Sequence, residues 1–83
     1  MYTIEFAAPA QKEFFRLIKE DQARVCSVLE RIVVRPYSFA LRLSGSKAYR
    51  VRAGKLRIIL DIIEETQKIM VLKIGNRETV YLP

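Results

Sequence analysis

The sequence predicts an α+β domain: a helical hairpin packed on one face of a small, mainly antiparallel twisted sheet, in the order β-α-α-β-β-β. Three observations predict it. Apolar residues alternate at the N-terminus, recur at helical spacings as far as Pro36, and return in strand-like runs separated by short polar turns through the second half. With 83 residues, no internal repeat and no linker, the chain reads as one domain, 1–83. Its 51% hydrophobic and 29% charged residues exclude a disordered or low-complexity chain.

Tyr2, Ile4 and Phe6 alternate with Thr3 and Glu5, the period of a half-buried strand, and Ala7-Ala8-Pro9 breaks it. Pro9 suits the first turn of a helix, along which Phe14, Phe15, Leu17 and Ile18 gather on one side and Lys12, Glu13, Arg16 and Lys19 on the other. Asp21 is the expected cap of a second helix, where Val25, Val28, Leu29 and Ile32 recur until Arg35-Pro36 stops it. Cys26, among apolar neighbours on that helix, reads as core or helix-interface filling rather than as a nucleophile. Pro36 to Ser46 sustains neither period and reads as a loop. Three strands follow: Tyr49 to Arg52, then Lys55 to Ile62 after Ala53-Gly54, then Ile69 to Ile74 after a polar turn around Glu64 to Gln67.

Charge is unevenly spread. The chain carries +6, but residues 31–60 hold eight Lys and Arg and no Asp or Glu, so that segment carries +8 and the remainder sums to −2. A single-sign stretch repels itself, which makes it a candidate surface for a polyanion. A turn centred on Ala53-Gly54 sets Arg52 opposite Lys55 and Arg50 opposite Arg57. Tyr49, Val51, Leu56, Ile58, Leu60 and Ile62 then face the helices, while Arg50, Arg52, Lys55 and Arg57 share the other face. Like charges set opposite each other destabilise a hairpin, so a binding role accounts for them better than stability does.

An odd-numbered turn before the last strand places Met70, Leu72 and Ile74 in the core and Lys73, Gly75 and Arg77 beside the cations; an even one buries Lys73 at greater cost, so the odd register is expected. Gly75 suits either a close approach of ligand or a plain bulge. Tyr81, near the C-terminus, suits stacking on a base, proton transfer or simple cover of the sheet edge.

Other chemistry is excluded by composition. A lone Cys forms no internal disulfide, and there is no His. A zinc site takes about three or four Cys, His or carboxylate ligands, and neither CxxC nor HExxH occurs, so no metal or other cofactor is expected. The first residues lack a charged start followed by an apolar run, and no apolar stretch approaches the roughly 20 residues of a membrane span, which predicts a cytosolic protein.

At Leu43-Ser-Gly, at Tyr49-Arg-Val-Arg-Ala-Gly-Lys-Leu-Arg-Ile-Ile-Leu-Asp, and at Ile74-Gly-Asn-Arg-Glu-Thr-Val-Tyr81, the chain resembles toxins of the RelE/ParE superfamily of toxin–antitoxin systems. The resemblance covers essentially the whole chain and favours the RelE branch. It implies a metal-independent, ribosome-dependent endoribonuclease that cuts messenger RNA in the ribosomal A site, the ribose 2′-hydroxyl attacking the adjacent phosphate. It also implies a cognate RelB-like antitoxin protein as partner, beside the ribosome and messenger RNA.

Carried over by position, the resemblance gives catalytic roles to Arg50, Arg52, Arg57, Arg77 and Tyr81, and RNA or ribosome binding to Arg42, Lys47, Lys55 and Lys73. Arg57 and Arg77 would stabilise charge on the phosphoryl oxygens, and Arg50 and Arg52 would orient the backbone. Many relatives have His where this chain has Asn76, so proton transfer falls to Tyr81, a Lys or the ribosome. Two other functions of the same superfamily stand beside this one: a ParE-like inhibitor of DNA gyrase without chemistry of its own, and a noncatalytic RNA- or ribosome-binding member.

Overall fold

The computed structural model describes residues 1–76; Arg77 and Tyr81 lie outside the described residues. The chain runs β1 (Thr3–Phe6), α1 (Ala8–Arg16), α2 (Lys19–Ile32), α3 (Pro36–Phe39), β2 (Leu41–Arg42), β3 (Tyr49–Ala53), β4 (Leu56–Ile63), a 3-10 turn (Glu64–Thr66) and β5 (Lys68–Gly75). The strands form one sheet in the order β1-β5-β4-β3-β2, antiparallel except where β1 lies parallel to β5. That parallel pair requires a crossover, and the helices of the crossover cover one sheet face. Ala10, Val25, Leu29 and Ile32 meet Val51, Ile58, Leu60, Ile69, Val71 and Ile74 there in one core. Each large apolar side chain fully buried in it contributes roughly 1.5–3 kcal/mol.

The helices depart from expectation in three ways. α1 ends at Arg16 and leaves Phe15 68% and Ile18 62% exposed, because Phe14 alone of the Phe pair turns inward, edge-on to Phe6. α2 starts before Asp21, which is therefore no N-cap: it sits in the first turn, buried, and its carboxylate accepts from Arg24 Nη1 at 3.2 Å. A carboxylate in a first helical turn also meets the positive end of the helix dipole. Cys26 is exposed rather than in the core, since Val25, Leu29 and Ile32 take the buried stripe of α2. The stretch expected as a loop holds one helical turn, α3, begun by Pro36, and the short edge strand β2.

The β3–β4 turn is one residue later than expected, on Gly54-Lys55, with Ala53 opposite Leu56 and Arg52 opposite Arg57. Moving a turn by one residue moves the pairing by two, so every side chain keeps its face. Gly54 has φ +63 and Lys55 does not share a positive φ, the pattern of a type II′ turn. A Cβ on Gly54 would lie 3.1 Å from Arg24 Cδ. Gly54→Ala is accordingly expected to cost about 1–2 kcal/mol in urea unfolding, chiefly from the left-handed backbone.

The β4–β5 connection is even and not odd as expected, spanning Glu64–Gln67 between the paired Ile63 and Lys68. Ile69 and Val71 therefore enter the core in place of Met70 and Leu72, which are only half-buried. Lys73 escapes burial because the register shifts between Ile59 and Leu60: Leu60 faces Val71 and Ile59 faces Lys73, leaving Leu72 unopposed. This bulge reverses the phase, so Ile74 returns to the core.

At the far end of the sheet, Tyr37 Oη donates to Glu64 Oε1 at 2.7 Å and Tyr2 Oη donates to the same oxygen. These donors hold the Glu64 carboxyl below its usual range, and the same contacts raise both phenols. The clasp stabilises the fold above the ordinary carboxylate pKa of about 4.3 and loses that contribution as pH falls through the lowered folded value. On the alkaline side the contribution is full below the ordinary phenol pKa of about 10 and is lost as pH rises from there through the raised folded values. The difference in Tm between wild type and Tyr37→Phe is expected to be present at pH 7 and to vanish in acid.

Candidate nucleic-acid interface

The sheet face away from the helices is organised in rows across the strands, because directly paired residues point the same way. One row is Arg52, Arg57 and Gly75 on β3, β4 and β5. The next is Leu41, Arg50, Ile59 and Lys73 on β2 to β5. Paired residues have Cα atoms about 4.5–5.5 Å apart, and same-face neighbours along a strand about 6.6–6.8 Å, so adjacent guanidinium groups span a phosphodiester and its neighbour.

Burial differs among the cations. Arg52 is exposed; Arg50, Arg57 and Lys73 are half-buried, and Arg57 Nε is withdrawn from solvent. Ile59, although on this face, is only 9% exposed and forms an apolar floor between Arg50 and Lys73. A floor of that kind lowers the local dielectric and strengthens the field of charges around it. Arg57 stands at the centre, with a like charge on one side and a glycine on the other. Gly75 presents no side chain opposite Arg57.

The remaining cations are placed elsewhere. Lys55 occupies the β3–β4 turn, at the rim of the Arg52–Arg57 row, and Lys47 lies exposed in the loop before β3. Arg42 pairs with Tyr49 and so points to the helix side, where its Nε donates to Ser46 O at 3.3 Å. A groove of about 320 Å³ between α2, α3 and β3 is lined by Arg31, Phe39, Leu41, Arg50 and Arg52 among others, joining the cationic face to the helix side. Among the described residues, no group of three or more His, Cys, Asp and Glu is placed to hold a metal ion, and no helix is long and apolar enough to cross a membrane.

Sequence alternation placed Arg50, Arg52 and Arg57 on this face; Lys73 reaches it through the bulge and not through the odd turn expected, and the apolar floor was not foreseen. Ile59 follows a buried Ile58 in an unbroken apolar run, and only the pairing with Arg50 and Lys73 assigns it to the open face. Glu13 was also missed as part of this region. Its Oε1 accepts the Ile74 backbone N–H at 3.0 Å, a contact between residues 61 apart in sequence that leaves no local pattern.

Fold and face together define a small α+β protein with a helix-backed sheet whose open side concentrates cations. No family model matches the chain. An Escherichia coli protein described as a RelE-like toxin is 30% identical over 80 residues, covering 93% of this chain and 84% of that protein. The chain belongs to the RelE-like toxins, within the RelE/ParE superfamily. Solved structures agree in fold. The intact E. coli RelBE toxin–antitoxin complex contains a chain matching with a TM-score of 0.80 at 21% identity, over 92% of this chain and 96% of that one. The archaeal RelE–RelB complex from Pyrococcus horikoshii matches with a TM-score of 0.79 at 22% identity, over 95% and 98%. The isolated E. coli RelE toxin matches with a TM-score of 0.78 at 22% identity, over 98% and 92%.

Proposed function

We propose that this protein is the toxin of a toxin–antitoxin pair and cuts messenger RNA in the ribosomal A site without a metal. The observation that carries this reading is the pair of rows Arg52–Arg57–Gly75 and Arg50–Ile59–Lys73, which gathers four cations on one sheet face with the half-buried Arg57 among them. In-line attack of a 2′-hydroxyl on the adjacent phosphate forms the new P–O bond as the bond to the leaving 5′-oxygen breaks, giving a cyclic phosphate and a free 5′-hydroxyl. Negative charge on the phosphoryl oxygens grows in the transition state. Donors already aimed at that charge, rather than reorganised from water, supply the largest share of such catalysis.

Arg57 fills that role, its fork matching two phosphoryl oxygens, while Arg50 and Arg52 hold the flanking phosphates in register. Arg77, outside the described residues, is assigned to the same charge. An Arg is a poor base, so the proton leaving the 2′-hydroxyl passes to Tyr81, to Lys73 or to the ribosome, and naked RNA is a poor substrate.

The partner follows from the same face. Solved relatives include RelE-type chains in complexes with RelB antitoxins, and a cognate RelB-like protein suits a surface whose 31–60 segment carries +8. Primer extension on a defined messenger, with the protein added to a purified translation system and with ribosomes omitted, tests the reading. Cuts within A-site codons that require ribosomes are expected. An intact messenger beside folded protein would sink it and favour a gyrase inhibitor or a noncatalytic binder.

A further inference from the structure

β1 pairs with β5 only as far as Phe6 opposite Val71, and the last link between them is the Ala7 N–H donating to Val71 O at 2.8 Å. The chain then turns into α1 at Ala8, so among the described residues the outer edge of β5 beyond Val71 has helix rather than strand beside it. A strand edge left without a ladder carries amide groups that need partners, and a half-buried one is costly to leave unpaired. At Ile74 that partner is a side chain: Glu13 Oε1, from α1, accepts its N–H at 3.0 Å. The strand needs this support, because the bulge at Leu72 has just interrupted its regular pairing with β4. Ile74 sits between Lys73 and Gly75, the two β5 residues that face Ile59 and Arg57 across the cationic rows.

We propose that Glu13 is a positioning residue for RNA cleavage: its carboxylate takes the place of a ladder partner at Ile74, holds the end of β5, and so sets where Lys73 and Gly75 stand relative to Arg57. The proposal rests on the cleavage reading of that face. It acts through Ile74, with no contact between Glu13 and RNA. A hydrogen bond from an amide to an ionised carboxylate is stronger and shorter than a neutral one, which suits a single contact doing the work of a ladder.

The test compares wild type with Glu13→Ala, Glu13→Asp and Glu13→Gln, and uses Glu5→Ala as the control. Glu5 forms an exposed ion pair with Lys68 at 3.1 Å, also between β1 and β5, and lies outside the machinery assigned above. Three quantities are read: the Ile74 amide exchange rate by NMR, the cleavage rate on saturating programmed ribosomes, and ribosome affinity.

In Glu13→Ala, Ile74 exchange is expected to accelerate about five- to ten-fold, and cleavage to slow about ten-fold with ribosome affinity unchanged. Glu13→Asp, which keeps the charge but shortens the arm, slows in the same way; it also serves if the Ala variant folds poorly. Glu13→Gln, whose amide oxygen still accepts, recovers most of the rate, and Glu5→Ala matches wild type. Variants of Glu13 that cleave as fast as wild type, or a Gln variant as slow as Ala, would overturn the role while leaving the cleavage reading standing. Wild-type protein that cuts no messenger overturns the cleavage reading and the role with it, whatever the exchange at Ile74.

Discussion

Replacing Arg57 by Ala is expected to slow cleavage of ribosome-bound messenger by about 10²- to 10³-fold, the loss typical of removing one preorganised donor to a developing oxyanion. The size follows from position. Arg57 is the half-buried cation at the centre of its row, between Arg52 and Gly75, and a donor partly withdrawn from water is worth more than an exposed one. Arg52, exposed on the edge side, is expected to lose less. Arg57→Lys keeps the charge but gives up the planar fork, so it falls between Ala and wild type. Removing one member of the directly paired Arg52 and Arg57 also relieves a like-charge repulsion across the hairpin, so the loss in cleavage is expected to exceed any change in folding stability. A time course of primer-extension products, with urea unfolding of the same preparations, checks both halves. An Arg57→Ala protein that cleaves at the wild-type rate would remove Arg57 from the mechanism.

The second large effect is on stability. Ile69→Ala is expected to cost about 2–5 kcal/mol, against about 1 kcal/mol or less for the adjacent Met70→Ala. Ile69 is fully buried and pairs with Ile62 and Ile4 in the layer beneath the helices, whereas Met70 is half-buried and pairs with Asp61 and Glu5 on the open face. A domain of this size has a total stability of only about 5–15 kcal/mol, so the Ile69 variant forfeits a large part of it. Urea midpoints at constant m-value separate the two. Equal losses, or a larger one at Met70, would mean that β5 lies in the opposite phase.

The hairpin was legible for a simple reason: its two faces differ strongly in chemistry. With Val51, Ile58 and Leu60 on one side and Arg50, Arg52 and Arg57 on the other, any register of the right parity sorts them correctly, so misplacing the turn by one residue did no harm. β5 offers no such contrast. Ile69 to Leu72 is apolar at every position, and alternation carries no information where both phases are apolar. The choice between Met70 and Ile69 was made by the four-residue turn and by the bulge at Leu72. Phe15 and Cys26 were misread for a related reason: a helical stripe says which residues share a side but not how wide a side the neighbouring sheet can cover.

By itself, then, the sequence determined the α+β class, the order of the main elements, the +8 segment and the grouping of Arg50, Arg52 and Arg57 on one face, because each rests on periodicity or composition within a short stretch. Tertiary structure alone decided the parallel pairing of β1 with β5, the apolar floor at Ile59 and the Glu13–Ile74 contact. Those depend on which strands become neighbours and where one of them ends, and the free energy that settles them comes from packing distant residues together, of which a local pattern holds no record.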